Sequence, residues 1–81
     1  MKYLLFTTTT CPKCPAVKNF VAEKITFPGE VLDERVAGFG VRAVQFSVEA
    51  APTLIVFDDS DQEIFRGNEV QEIEEFLTRQ K

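Results

Sequence analysis

The stretch 7–20, TTTTCPKCPAVKNF, places two cysteines three positions apart between an apolar run and an amphipathic segment. Before it, Lys2–Phe6 (KYLLF) has the aromatic and aliphatic content of a short buried strand. After it, Val17, Phe20 and Val21 recur at helical spacing, with charged residues largely on the other positions. A Cys-x-x-Cys pair that follows a strand and opens a helix in a β-α-β pattern indicates redox chemistry.

The position of Cys11 at the start of this helix predicts that it is the nucleophile of the pair. Unpaired backbone N–H groups and the positive end of the helix dipole stabilise a thiolate there. Pro12 pre-sets a backbone angle suited to the first helical turn, and Lys13 adds a nearby positive charge. A solvated lysine with no effect on the sulfur is an equally open interpretation of Lys13.

The remaining chain predicts three further strands, a hairpin turn and two helices. In chain order these segments are a strand at Glu30–Asp33, a helix at Val36–Phe46, a strand at Thr53–Phe57, a polar turn at Asp58–Asp61, a returning strand at Glu63–Arg66, and a final helix capped by Asn68. Gly38 and Gly40 weaken the start of the middle helix, since each costs about 1 kcal/mol relative to Ala.

The last predicted helix is amphipathic. Its apolar face consists of Val70, Ile73, Phe76 and Leu77, and its end carries Arg79 and Lys81, as the helix dipole favours. The predicted order is therefore β-α-β-α-β-β-α. We expect an α/β fold with a four-stranded mixed sheet flanked by helices, in which the early strands pair in parallel and the hairpin is antiparallel.

Composition limits the classes of function. The 81 residues suffice for one domain, 1–81, and 44% of them are hydrophobic. A net charge of −4 argues against binding to nucleic acid or to an anionic membrane surface. No apolar run approaches the roughly 20 residues that span a bilayer, and the start does not resemble a secretory signal, so we expect a cytoplasmic protein. Thiols are kept reduced there, which favours a catalytic or metal-binding cysteine pair.

Three segments resemble the thioredoxin and glutaredoxin superfamily. Residues 7–20 resemble its active-site helix, AAPTLIVF at 50–57 resembles its cis-proline strand, and RGNEVQEIEEFL at 66–77 is similar to its last strand-to-helix turn. The chain thus looks like a small glutaredoxin-like protein with a minimal thioredoxin-like fold. The resemblance implies a thiol-disulfide oxidoreductase that reduces protein disulfides.

The resemblance also implies roles for individual residues. Cys11 would be the attacking thiolate, Cys14 the resolving thiol, and Pro52 a cis-proline that faces the dithiol. Ala51 would offer its backbone to an extended substrate. The substrate-binding set that follows is Pro12, Lys13, Ala51, Pro52 and Thr53.

Departures from the family pattern bear on the partners. Thr10 stands where thioredoxins usually have an aromatic residue, and the first strand lacks their buried Asp. The turn at 66–69 has one glycine where many glutaredoxins present two for glutathione. We therefore expect a thioredoxin-reductase-like flavoprotein or a dedicated reductase as electron source, with glutathione as the open alternative. The expected target is a protein disulfide, such as that of a ribonucleotide reductase, and the expected state is a monomer without a bound cofactor.

Other interpretations of the same residues stay open. The cysteines could form a structural pair or half of a metal site, although the chain has no histidine and no third cysteine to complete a zinc tetrahedron. A cluster shared between two subunits would need added thiols. Pro52 could be a trans proline that begins an edge strand. The rival function is a non-catalytic binding module or a carrier of a metal or cluster.

Overall fold

The computed structural model describes residues 1–79 and contains the predicted seven elements in the predicted order. They are β1 (Lys2–Phe6), α1 (Cys14–Lys24), β2 (Gly29–Leu32), α2 (Phe39–Gln45), β3 (Thr53–Phe57), β4 (Glu63–Gly67) and α3 (Val70–Arg79). Lys81, which was expected at the end of the last helix, lies outside the described residues.

The four strands form one mixed sheet with the order β2-β1-β3-β4. β1 and β2 are parallel, as expected for strands joined through a helix, and β3 and β4 form the predicted antiparallel hairpin. β1 is also antiparallel to β3, with Phe6 at the end of β1 opposite Thr53 at the start of β3. The two central strands are therefore β1 and β3.

Alternation along the central strands supplies apolar side chains to both faces of the sheet. On one face, α1 and α3 pack over the strands, and the buried cluster there contains Leu5, Val17, Val21, Ile25, Leu54, Val56, Ile73 and Phe76. On the opposite face, the buried cluster contains Leu4, Phe6, Leu32, Ile55 and Phe57, covered in part by Phe39, Ala43 and Phe46 from α2 and its C-terminal end. No side chain of α2 is itself fully buried.

The bounds of α2, β2 and β4 differ from the sequence prediction. α2 ends at Gln45 and not at Phe46, and β4 extends by one residue to Gly67. α2 begins at Phe39 and not at Val36, because Gly38 adopts a left-handed backbone conformation with φ of 86° directly before it. β2 spans Gly29–Leu32 and ends before Asp33. The Asp33 carboxylate accepts a hydrogen bond from the Arg35 N–H at 2.7 Å, so Asp33 belongs to the turn that leaves the strand.

The start of α3 is built differently from the prediction that Asn68 caps it. The Glu72 carboxylate accepts hydrogen bonds from the N–H groups of Asn68 and Glu69, at 3.1 and 3.2 Å. Both residues precede α3, and the Glu69 N–H lies at the helix start, where backbone donors lack a partner within the helix. Glu72 therefore caps α3 from inside its first turn, and the Asn68 side chain is directed elsewhere.

Within residues 1–79, none of the helices combines the length and the apolar character needed to cross a membrane.

Candidate redox site

Both segments singled out in the sequence meet at one end of the sheet. The cysteine segment follows β1, which ends at Phe6, and Ala51–Pro52 directly precede β3, which begins at Thr53. Phe6 and Thr53 are register partners in the antiparallel pair. The pairing of the two central strands therefore brings the dithiol segment and the proline segment, far apart in sequence, to the same edge.

Cys11 and Cys14 are joined by a disulfide, with their Cα atoms 5.4 Å apart. The Cys14 N–H, at the first position of α1, donates a hydrogen bond to the Cys11 Sγ at 3.1 Å. Cys11 is partly exposed, whereas Cys14 is only 2% exposed. The helix start thus directs a backbone donor at the accessible sulfur, as the sequence predicts, and this donor favours a thiolate on the reduced residue.

The sequence prediction that Pro12 lies in the first helical turn is wrong. α1 begins at Cys14, so Pro12 lies before the helix and Pro15 occupies its second position. Lys13 is the residue that precedes the helix, and its carbonyl accepts a hydrogen bond from the Val17 N–H at 3.3 Å. Pro12 and Lys13 are both exposed beside the disulfide.

The difference in burial predicts an order of reactivity. After reduction, Cys11 should react with iodoacetamide at neutral pH well before Cys14, because a reagent can reach its sulfur and the Cys14 N–H stabilises its thiolate. Alkylation for increasing times, followed by peptide mapping, measures this order. Preferential labelling of Cys14 would contradict the assignment of Cys11 as nucleophile.

The proline segment has the backbone form that the resemblance implies. The Ala51–Pro52 peptide bond is cis, so the alternative of a trans proline does not hold. Pro52 is buried and Ala51 is partly exposed. The buried Thr53 hydroxyl donates a hydrogen bond to the Ala50 carbonyl oxygen at 2.6 Å. This hydrogen bond therefore joins the residues that flank Ala51 and Pro52.

A groove of about 410 Å³ runs between the start of α1 and the start of α3. At its rim, Lys13 Nζ lies 3.4 Å from Glu69 Oε1, and both side chains are exposed. Solvent screening keeps such an exposed pair weak. Lys13 thus has a carboxylate partner within its own chain, which links the dithiol segment to the last helix.

On the other side of the disulfide, the threonine loop is held by the turn after β2. The Thr9 N–H donates a hydrogen bond to Glu34 Oε1 at 2.9 Å, and the Thr9 hydroxyl donates to the same oxygen. These two bonds, the hydroxyl first, hold the pKa of the Glu34 carboxyl below its ordinary value. The neighbouring Asp33 pKa is lowered by its hydrogen bonds from Arg35. The loop before Cys11 is therefore anchored to β2 through a charged acceptor.

Solved structures show what this architecture resembles. Thioredoxin 1 from Thermosipho africanus superposes with a TM-score of 0.71 at 24% identity, over 96% of this chain and 88% of that one. Thioredoxin f2 from Chlamydomonas reinhardtii superposes with a TM-score of 0.72 at 13% identity, over 99% and 78%. The chain has the thioredoxin fold. A thioredoxin from Thermus thermophilus is also similar, with a TM-score of 0.64 at 18% identity over 96% and 68%. No protein-family profile and no curated protein matches the sequence.

The residues predicted from the sequence lie in two segments at the same edge of the sheet. The disulfide, Pro12 and Lys13 lie at the start of α1, and Ala51, Pro52 and Thr53 lie where β3 begins beside the end of β1. Sequence reasoning missed the hydrogen bonds that the Asn68 side chain donates to the Pro52 carbonyl oxygen and to Thr53 Oγ1, and those that Thr9 donates to Glu34. An Asn before a helix indicates a cap, and neither contact has a local sequence signal. The similarity to solved structures shows the fold, and the disulfide between Cys11 and Cys14 is the chemical group at this site.

Proposed function

We propose that this protein is a thiol-disulfide oxidoreductase that reduces protein disulfides through Cys11 and Cys14. The observation that carries the proposal is the unequal pair at the helix start. Cys11 is partly exposed and receives the Cys14 N–H on its sulfur, whereas Cys14 is only 2% exposed. A structural disulfide needs no such difference between its two sulfurs, but a nucleophile and a resolving thiol do.

The proposed reaction has two exchange steps. The Cys11 thiolate attacks one sulfur of the target disulfide, a mixed disulfide forms, and the first target sulfur leaves as a thiolate that takes a proton from water. Cys14 then loses its proton and attacks the Cys11 Sγ, which releases the second target sulfur. The target gains two electrons, and the protein ends with the Cys11–Cys14 disulfide that the structure contains.

Recognition of the target is proposed to depend on main-chain pairing at Ala51. This residue is partly exposed at the same edge of the sheet as the dithiol segment, and within residues 1–79 neither its N–H nor its carbonyl takes part in a hydrogen bond. A free N–H and a free C=O on one residue match the backbone of an extended peptide. The residues that would surround that peptide are Pro12, Lys13, Pro52 and Thr53. Such recognition tolerates many sequences, so ribonucleotide reductase remains one proposed target among protein disulfides.

The proposed electron source is a flavoprotein reductase of the thioredoxin-reductase type. Glutathione carries two carboxylates and an ammonium group, and its specific binding requires charged groups and backbone donors at fixed positions. Here the Lys13 ammonium already lies beside the Glu69 carboxylate, at 3.4 Å. We propose that the protein acts as a monomer in the cytoplasm, where such reductases and NADPH maintain reduced thiols.

The direct test is reduction of insulin with dithiothreitol as electron source, followed by turbidity of the released B chain. The proposal expects turnover above the rate of dithiothreitol alone, whereas a non-catalytic binding module or metal carrier would add nothing to that rate. The electron source is tested separately with NADPH. Thioredoxin reductase should reduce the Cys11–Cys14 disulfide faster than glutathione with glutathione reductase at matched protein concentration. A faster glutathione system would reverse the assignment of the reductant.

A further inference from the structure

The Asn68 side chain connects the start of α3 to the proline segment. Its Nδ2 donates one hydrogen bond to the Pro52 carbonyl oxygen at 2.9 Å and a second to Thr53 Oγ1 at 3.2 Å. A carbonyl oxygen only accepts hydrogen bonds, so the atom that faces it must be the amide nitrogen and not the amide oxygen. The chemistry of its partners therefore fixes the orientation of the Asn68 amide.

The hydrogen bonds continue from Thr53 to the other side of Ala51. The Thr53 hydroxyl accepts from Asn68 and donates its own proton to the Ala50 carbonyl oxygen at 2.6 Å. Asn68 thus restrains the Pro52 carbonyl directly and the Ala50 carbonyl through one hydroxyl. The residue between them, Ala51, keeps both of its backbone groups without a hydrogen-bond partner among residues 1–79.

The backbone of Asn68 is itself held by a hydrogen bond at the start of α3. Its N–H donates to the Glu72 carboxylate at 3.1 Å, and the same carboxylate receives the Glu69 N–H. Glu69 in turn lies beside Lys13 of the dithiol segment. The amide of Asn68 therefore extends from an ordered helix start, which limits the movement of the groups it binds.

We propose that Asn68 is a positioning residue for the binding of extended peptide substrates. It holds the carbonyl groups on both sides of Ala51 in place, so that the free N–H and C=O of Ala51 are presented in one fixed geometry to the target backbone. This inference rests on the proposed function. It adds that peptide substrates depend on Asn68, whereas a small disulfide without peptide groups does not, because such a molecule has no backbone to pair with Ala51.

The test compares two variants of Asn68 on two substrates. Asn68→Ala removes both donors, and kcat/KM for insulin should fall about five- to tenfold, mainly through a higher KM. Asn68→Asp keeps the shape of the side chain but places a carboxylate oxygen against the Pro52 carbonyl oxygen, so this variant should lose more of its kcat/KM for insulin than Asn68→Ala. With bis(2-hydroxyethyl) disulfide both variants should stay within about twofold of the unchanged protein, since the attack of Cys11 is not altered.

Gln71→Ala is the matched control. Gln71 belongs to α3 and lines the groove between α1 and α3 together with Asn68, but its side chain makes no hydrogen bond among residues 1–79. This variant should reduce both substrates at the rate of the unchanged protein. Thermal unfolding of each variant shows that the compared proteins are folded. Equal losses on insulin and on the small disulfide would make Asn68 a merely structural residue and overturn the proposal, as would insulin reduction by both variants at the original rate. If the unchanged protein reduces neither substrate, the proposed function itself fails.

Discussion

Cys11→Ser should reduce insulin no faster than dithiothreitol alone, whereas Cys14→Ser should stop at a mixed disulfide. A serine hydroxyl is not ionised at neutral pH and cannot replace a thiolate in disulfide exchange, so loss of Cys11 removes the first step. Loss of the buried Cys14 leaves that step intact and removes the second. Turnover of insulin measures the first effect, and non-reducing electrophoresis detects the trapped complex in the second.

Thr10→Ala provides the control for these cysteine variants. Thr10 is exposed next to Cys11, and its side chain makes no hydrogen bond within residues 1–79, so its removal should leave turnover close to the original rate. Full activity of Cys11→Ser, or mixed disulfides that form through Cys14 in that variant, would exchange the roles of the two cysteines. Partners captured from a cell extract by Cys14→Ser can then be identified, since their mixed disulfides do not resolve.

Phe6→Ala should have the largest effect on stability. Phe6 is fully buried at the end of β1, with its ring centroid 5.9 Å from that of Phe39 and 6.5 Å from that of Phe46. Replacement of a buried Phe by Ala costs about 3–5 kcal/mol, a large part of the roughly 5–15 kcal/mol that stabilises a domain. Urea unfolding followed by circular dichroism measures the change in the free energy of unfolding.

Val44→Ala is the control for this substitution, because Val44 is 81% exposed on α2. This substitution should change the free energy of unfolding by no more than about 0.5 kcal/mol. Similar unfolding midpoints for Phe6→Ala and the unchanged protein would mean that the face of the sheet beneath α2 contributes little to stability. That result would contradict the buried cluster described around Phe6.

The sequence was informative where the signal was local or periodic. The order of elements follows from apolar runs and helical spacing, and the cysteine pair follows from its place between β1 and α1. The predicted start of α2 was wrong, because the left-handed conformation of Gly38 sets the residue at which this helix begins. A glycine in a sequence shows only that such a conformation is allowed. The parallel and antiparallel pairings agree with general rules of strand connection.

The contacts that join distant segments were beyond this kind of reasoning. Asn68 binds the Pro52 carbonyl across 16 positions, and Thr9 binds Glu34 across 25. Each residue type also has a common local use, as a helix cap for Asn and as a solvated charge for Glu. Only the packing of α3 and of the turn after β2 against the site selects the distant partner over the local one.

The unequal covering of the two sheet faces has a consequence for motion. α2 is seven residues long and has no fully buried side chain, so its local opening should require less free energy than global unfolding, although Phe39 and Phe46 contact the buried Phe6. Its backbone amides should therefore exchange hydrogen for deuterium sooner than the interior amides of α1 and α3. The dithiol segment joins β1 to α1, and the proline segment leads into β3 and is held by Asn68 before α3, so fluctuations of α2 can occur while the redox site stays assembled.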